Sequence, residues 1–89
     1  MANVEIYTKD YCPYCHLAKS ILRQHGADYN EHSLTEYPEL FRDMVARADG
    51  RMTVPQIFID GVPIGGADQL STMEEQGKLK ELLQRKQAA

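Results

Sequence analysis

A small α/β domain is the fold this sequence predicts, on three observations. A β-rich run, Val4-Glu5-Ile6-Tyr7-Thr8, leads directly into an amphipathic helical pattern; a weaker strand candidate follows that helix; and two apolar runs farther on are joined by Asp60-Gly61. The 89 residues, 43% of them hydrophobic, suffice for a single core and leave no room for a second, so one domain over residues 1–89 is expected.

The elements follow in order. Val4 to Thr8 alternates apolar and polar residues, as a half-buried strand does. Leu17, Ala18, Ile21 and Leu22 form a stripe on one face of the next helix, and Gly26 supplies its stop. Ala27 to Leu34, containing Tyr29, is the second strand candidate. Strand, helix and strand make a βαβ unit, whose crossover is right-handed and whose ligand edge lies at the C-terminal end of the first strand. A second helix is expected over Pro38 to Ala48, with Pro38 tolerated in its first turn, Leu40, Phe41, Met44, Val45 and Ala48 on its buried face, and Gly50 after it. Gln56-Ile57-Phe58-Ile59 and Val62-Pro63-Ile64 read as an antiparallel hairpin with a two-residue Asp-Gly turn, and Pro63 marks the last strand as an edge. Asp68 is expected to cap a third helix carrying Leu70 and Met73; Gly77 then interrupts before a final amphipathic segment around Leu79, Leu82 and Leu83.

Bulk properties exclude several classes of partner. The net charge is -3, and lysines and arginines are scattered from Lys9 to Lys86 without a basic stripe, so nucleic acid is not expected. The N-terminal residues lack a basic region followed by an apolar one, and no apolar run approaches the roughly 20 residues of a membrane span. A soluble, cytoplasmic monomer with no membrane partner is the expectation.

Both cysteines lie in Cys12-Pro13-Tyr14-Cys15, between the first strand and the first helix. A thiol at the first turn of a helix lies among unpaired backbone N–H groups and near the positive end of the helix dipole, which favours its thiolate. Cys15 is about one turn farther on, within reach of a disulfide with Cys12. So short a loop gives a cross-link little structural value, so the pair reads as a redox dithiol in which one sulfur attacks and the other resolves. C-x-x-C is also half of a zinc site, but the spacings of His16, His25 and His32 match no zinc-finger pattern, and no metal is expected. Each histidine reads as a solvated helix or strand residue.

Other residues carry two readings each. Lys9, three positions before Cys12, is either a charge that steadies a thiolate or grips an anionic ligand, or an ordinary exposed lysine. Tyr11 and Tyr14 either flank a ligand or cover the helix end. Pro13 fits the first helical position, where its missing N–H is no loss. Pro55, in Thr53-Val54-Pro55, would ordinarily be a trans loop residue. Gly65-Gly66, followed by Ala67-Asp68, is either a plain tight turn or a backbone that approaches a ligand closely and offers helix N–H groups to a carboxylate.

Taken together, Lys9, C-P-Y-C at Cys12 to Cys15, T-V-P at Thr53 to Pro55 and G-G-x-D at Gly65 to Asp68 resemble the dithiol glutaredoxins of the small bacterial type, over nearly the whole chain. The resemblance implies a thioredoxin-like fold, a four-stranded mixed sheet flanked by helices in the order βαβαββα, with Pro55 cis and facing the dithiol. It implies glutathione as co-substrate, with no tightly bound cofactor. Val54 would pair its backbone with the cysteinyl part of glutathione beside Thr53 and Pro55, as an added strand does. Lys9 and Arg42, the latter placed by an ungapped count back from Thr53, would meet the glycine carboxylate, and Tyr14 would lie alongside. The turn from Gly66 to Gln69 would hold the γ-glutamyl carboxylate on the N–H groups of Ala67 and Asp68. The sequence departs from the family pattern here. Relatives often carry two acidic residues after the position of Ala67, whereas this chain has Asp68 then Gln69, and Ala67 replaces a cysteine found in several relatives.

The implied function is glutathione-dependent thiol–disulfide exchange on glutathionylated or disulfide-containing proteins, with ribonucleotide reductase among the candidate substrates. Cys12 would attack, Cys15 resolve and glutathione regenerate the dithiol. Two alternatives are an NrdH- or thioredoxin-type electron donor, against which stand Lys9, the G-G-x-D turn and the absence of Trp, and an iron–sulfur cluster carrier, against which stands Pro13.

Overall fold

The computed structural model describes residues 2–84; expectations that extend to residue 1 or to residues 85–89, Lys86 included, lie outside it. Four strands, β1 (Val4–Thr8), β2 (Asn30–Ser33), β3 (Gln56–Ile59) and β4 (Val62–Gly65), form one mixed sheet in the order β2-β1-β3-β4. β1 runs parallel to β2, while β1–β3 and β3–β4 are antiparallel. Helices α1 (Pro13–Gln24), α2 (Phe41–Arg47), α3 (Ala67–Glu75) and α4 (Lys78–Gln84) flank it. The βαβαββα order is therefore extended by one helix, which is the amphipathic segment beyond Gly77.

Strand alternation decides which helices lie on which face. Val4 and Ile6 of β1 and Ile57 and Ile59 of β3 point to one side, where Ala18, Ile21 and Leu22 of α1, Leu70 of α3, and Leu79 and Leu83 of α4 close a core. Tyr7 and Phe58 point to the other side and meet Leu34, Met44 and Ala48, with Leu40, Phe41 and Val45 packed around them. All four residues of β3 are buried because β3 is a central strand covered on both faces. The turn Asp60-Gly61 has positive φ at both residues, 51° and 79°, as the mirror-image hairpin turn requires, and Pro63 lies on the edge strand β4.

Several expectations need correction. Leu17 is 44% exposed: it projects about 100° around the helix from Ala18, and Cys15 takes its place in the buried stripe. The second strand begins at Asn30 rather than Ala27 because Gly26 and Ala27 close α1. Gly26, at φ 67°, donates to the Arg23 carbonyl and Ala27 to that of Leu22, a Schellman ending. The helix expected over Pro38 to Ala48 is divided into a 3-10 turn, Pro38–Leu40, and α2. His25 and His32 are part-buried and paired rather than freely solvated. His25 pairs with Glu74, tying α1 to α3, and His32 meets Glu5 at 3.1 Å with its ring 4.8 Å from that of Tyr7.

Candidate active site

β1 ends at Thr8, the chain turns through Tyr11 at φ 59°, and Cys12 becomes the N-cap of α1 with Pro13 at its first position. An extended N-cap residue accepts a bond from the first turn, and here the acceptor is sulfur: the Cys15 N–H donates to Cys12 Sγ at 3.2 Å. Cys12 is part-exposed, and Cys15, one turn in, is 2% exposed. Burial, together with the neighbouring Cys12, pushes the Cys15 thiol up to about 12, while the Lys9 backbone N–H and the Lys19 charge pull the other way. The two thiols are free.

Opposite Cys12 runs the loop before β3. The Val54–Pro55 peptide is cis, and the Val54 carbonyl oxygen lies 4.0 Å from Cys12 Sγ. Gln56, buried at the start of β3, holds this loop from behind: its Nε2 donates to the carbonyl and the hydroxyl of Thr53 at 3.0 and 3.3 Å.

The loop forms one wall of a groove of about 460 Å³, and the start of α3 forms another. Gly66 caps α3, and the Gln69 Oε1 accepts the Gly66 N–H at 2.8 Å. Asp68 is thus not the cap; it stands at the second position of the helix, exposed and among first-turn N–H groups that suit a carboxylate ligand. Both glycines are closely approached, and at Gly65 the approach and the backbone together exclude a side chain. A Cβ on Gly65, whose φ is 114°, would meet Arg51 Nη1 at 2.6 Å and Gln69 Cγ at 2.9 Å, and one on Gly66 would come within 3.3 Å of the Pro55 carbonyl.

Eight of the ten ligand-binding residues expected from sequence line this groove, namely Tyr14, Thr53, Val54, Pro55, Gly66, Ala67, Asp68 and Gln69. Lys9 and Arg42 do not. Both are exposed, Lys9 beyond the end of β1 and Arg42 in the first turn of α2. Sequence reasoning missed Arg51 and Gln56. Each had a signal: Arg51 is two residues from Thr53, a far safer count than that to Arg42, and Gln56 is the lone polar residue in an apolar strand. Among the described residues, no three His, Cys, Asp or Glu side chains are grouped to hold a metal ion, and no helix is long and apolar enough to cross a membrane.

Comparison with known proteins agrees with this geometry. The Glutaredoxin family model matches residues 4–64. Glutaredoxin 3 of Escherichia coli strain K12 is 48% identical over 83 residues, 93% of this chain and 99% of that protein. The solution structure of glutaredoxin from Brucella melitensis superposes with a TM-score of 0.82 at 45% identity, covering 100% of this chain and 96% of that one. The buckwheat glutaredoxin–glutathione complex gives 0.82 at 30% identity, over 92% and 76%. A dithiol at a helix start, a cis proline facing it and matches over nearly the full chain lead to one conclusion: this chain belongs to the glutaredoxin family.

Proposed function

We propose that this glutathione-dependent thiol–disulfide oxidoreductase works through Cys12 as nucleophile, Cys15 as resolving thiol and the groove between the Val54–Pro55 loop and α3 as its glutathione site. The observation that supports the reading is the 4.0 Å approach of Cys12 Sγ to the carbonyl of Val54, a residue that lines the groove.

Cys12 attacks the glutathione-side sulfur of a mixed disulfide, the substrate leaves as a thiol, and Cys12 is left glutathionylated. A second glutathione then releases it. With a protein disulfide, Cys12 forms the intermolecular bond and Cys15 displaces the reduced protein. The Cys15 N–H bond to Cys12 Sγ stabilises negative charge on the attacking sulfur. Bound glutathione pairs its cysteinyl backbone with Val54, rests against Tyr14, and sets its γ-glutamyl carboxylate on the N–H groups of Ala67 and Asp68. Asp68 faces its ammonium, and Arg51, the one cation among the residues lining the groove, supplies the charge that Lys9 and Arg42 were expected to give.

Glutathionylated and disulfide-containing proteins, ribonucleotide reductase among them, are the substrates of this reading, and the cytoplasm its compartment; a monomer suffices, since one chain contributes every group named. Incubating Cys15→Ser with glutathione disulfide and mapping the adduct by mass spectrometry tests it. One glutathione on Cys12 is expected; an unmodified Cys12 refutes the assignment.

A further inference from the structure

One helical turn beyond Cys15 lies a charge pair, Lys19 on α1 and Glu31 on β2, that the steps above do not use. Lys19 is four residues after Cys15 in α1, so the two side chains are neighbours on one helical face. The Lys19 side chain is only 14% exposed, and its ammonium is held by both carboxylate oxygens of Glu31 on β2, at 3.0 and 3.2 Å. Glu31 is fixed in turn by the buried Thr8, whose hydroxyl donates to it at 2.6 Å. Thr8 ends β1, immediately before Lys9, whose backbone N–H favours ionisation of Cys15. Three elements therefore converge to hold one ammonium a turn below the resolving thiol.

We infer that Lys19, anchored by Glu31, is a positioning residue for the resolving step, its charge stabilising the Cys15 thiolate as that thiolate forms in a nearly dry site. The inference rests on the reading of Cys15 as the resolving thiol. In that step Cys15 loses its proton to solvent, and its thiolate attacks Cys12 in the Cys12–glutathione disulfide. The Cys12–Cys15 bond forms as the old S–S bond breaks, and glutathione leaves as a thiolate and takes up a proton. Electrons balance, since one disulfide replaces another. The groups that act on Cys15 are Cys12 and the burial itself, which oppose its ionisation, and the Lys9 N–H and Lys19, which favour it. From α3, the pair His25–Glu74 meets α1 at its far end, ten residues beyond Cys15.

The test uses protein glutathionylated at Cys12 and follows glutathione release without added thiol, by rapid quench and mass spectrometry, across pH. Lys19→Met and Lys19→Gln are expected to slow release roughly five- to tenfold at neutral pH and to move the rate–pH curve to higher pH. Lys19→Arg is expected to restore both, because it keeps the charge and the Glu31 pairing. Lys19→Met/Glu31→Gln removes the stranded carboxylate, and is expected to remain slow while folding normally. Lys80→Met, on α4, serves as a surface control. Native-like release in Lys19→Met, Lys19→Gln and the double variant overturns the inference, as does equal slowing in Lys19→Arg. If the native protein itself releases no glutathione, the resolving role of Cys15 fails first, and Lys19 has nothing to act on.

Discussion

The backbone N–H of Cys15 points at Cys12 Sγ across 3.2 Å, so each cysteine of the pair conditions the other. The turn of helix that gives Cys12 a hydrogen-bond donor is the same turn that buries Cys15 to 2% exposure and lifts its thiol to about 12. In the proposed function, a part-exposed sulfur with a donor and a buried sulfur without ready ionisation divide the work into attack and resolution. Cys15 alkylation should therefore be slow at neutral pH and accelerate with each unit of rising pH, while Cys12 is alkylated first. Iodoacetamide labelling with peptide mapping checks the order, and faster labelling of Cys15 would contradict it.

Arg51 is the one cation among the residues lining the groove. Arg51→Met is expected to raise the KM for a glutathione mixed disulfide about fivefold, the effect of losing about 1 kcal/mol of a partly screened ion pair, with kcat little changed. Arg42→Met, on the outer side of α2, should leave KM as it was. Steady-state kinetics of the two variants decides between the residue found by counting along the sequence and the one that lines the groove.

Gly65 admits Arg51 and Gln69 into the space a side chain would fill, and its φ of 114° disfavours any L residue. Gly65→Ala should cost about 1–3 kcal/mol of stability and weaken glutathione binding together, since relieving the clash moves both neighbours. Denaturant unfolding and a binding titration report the two effects. Loss of stability with native affinity would mean that the glycine serves the hairpin alone.

On the α2 face, Arg47 bonds both Glu5 oxygens at 2.6 and 3.1 Å and the Tyr7 hydroxyl at 2.9 Å, with its guanidinium 4.3 Å from the Phe58 ring centre. Arg47 holds the Glu5 carboxyl below its ordinary 4.5, against the pull of burial and with help from His32. Glu31 is lowered too: burial opposes it, but hydrogen bonds from Thr8 and Lys19 prevail. Both groups bind protons more weakly folded than unfolded. Their contribution is therefore fully present above about pH 4.5 and is lost as pH falls through the folded values. Urea unfolding should show stability dropping below that pH, with a shallower drop in Arg47→Met, which at neutral pH should be about 1–3 kcal/mol less stable. An unchanged acid slope in Arg47→Met would remove Glu5 as its source.

Local patterning was readable wherever one residue type had one physical use. Asp60-Gly61 specified the hairpin turn, Pro13 the helix start, and Pro63 the edge strand. Side chains whose role depends on distant partners were not readable from spacing. Asp68 looked like a cap, but the cap bond belongs to Gly66 and Gln69. His25 and His32 read as solvated because Glu74 and Glu5, which pair with them, lie 49 and 27 residues away. Arg42 was reached by a count back from Thr53 through the loop before β3 and most of α2, which ends on an exposed position, while Arg51, two residues from Thr53, lines the groove. The groove proposed for glutathione was legible mainly because its two walls are contiguous motifs, T-V-P and G-G-x-D, each carrying its own backbone geometry.

In the proposed function, Cys12 is the one thiol needed to turn over a small glutathione mixed disulfide. The most direct measurement is NADPH consumption in an assay coupled through glutathione and glutathione reductase, with a small glutathione mixed disulfide as substrate, for the native protein, Cys15→Ser and Cys12→Ser. Turnover by the native protein and by Cys15→Ser, with none by Cys12→Ser, is the result this account requires. Turnover that survives in Cys12→Ser, or activity in the native protein only when thioredoxin reductase replaces glutathione, would contradict it.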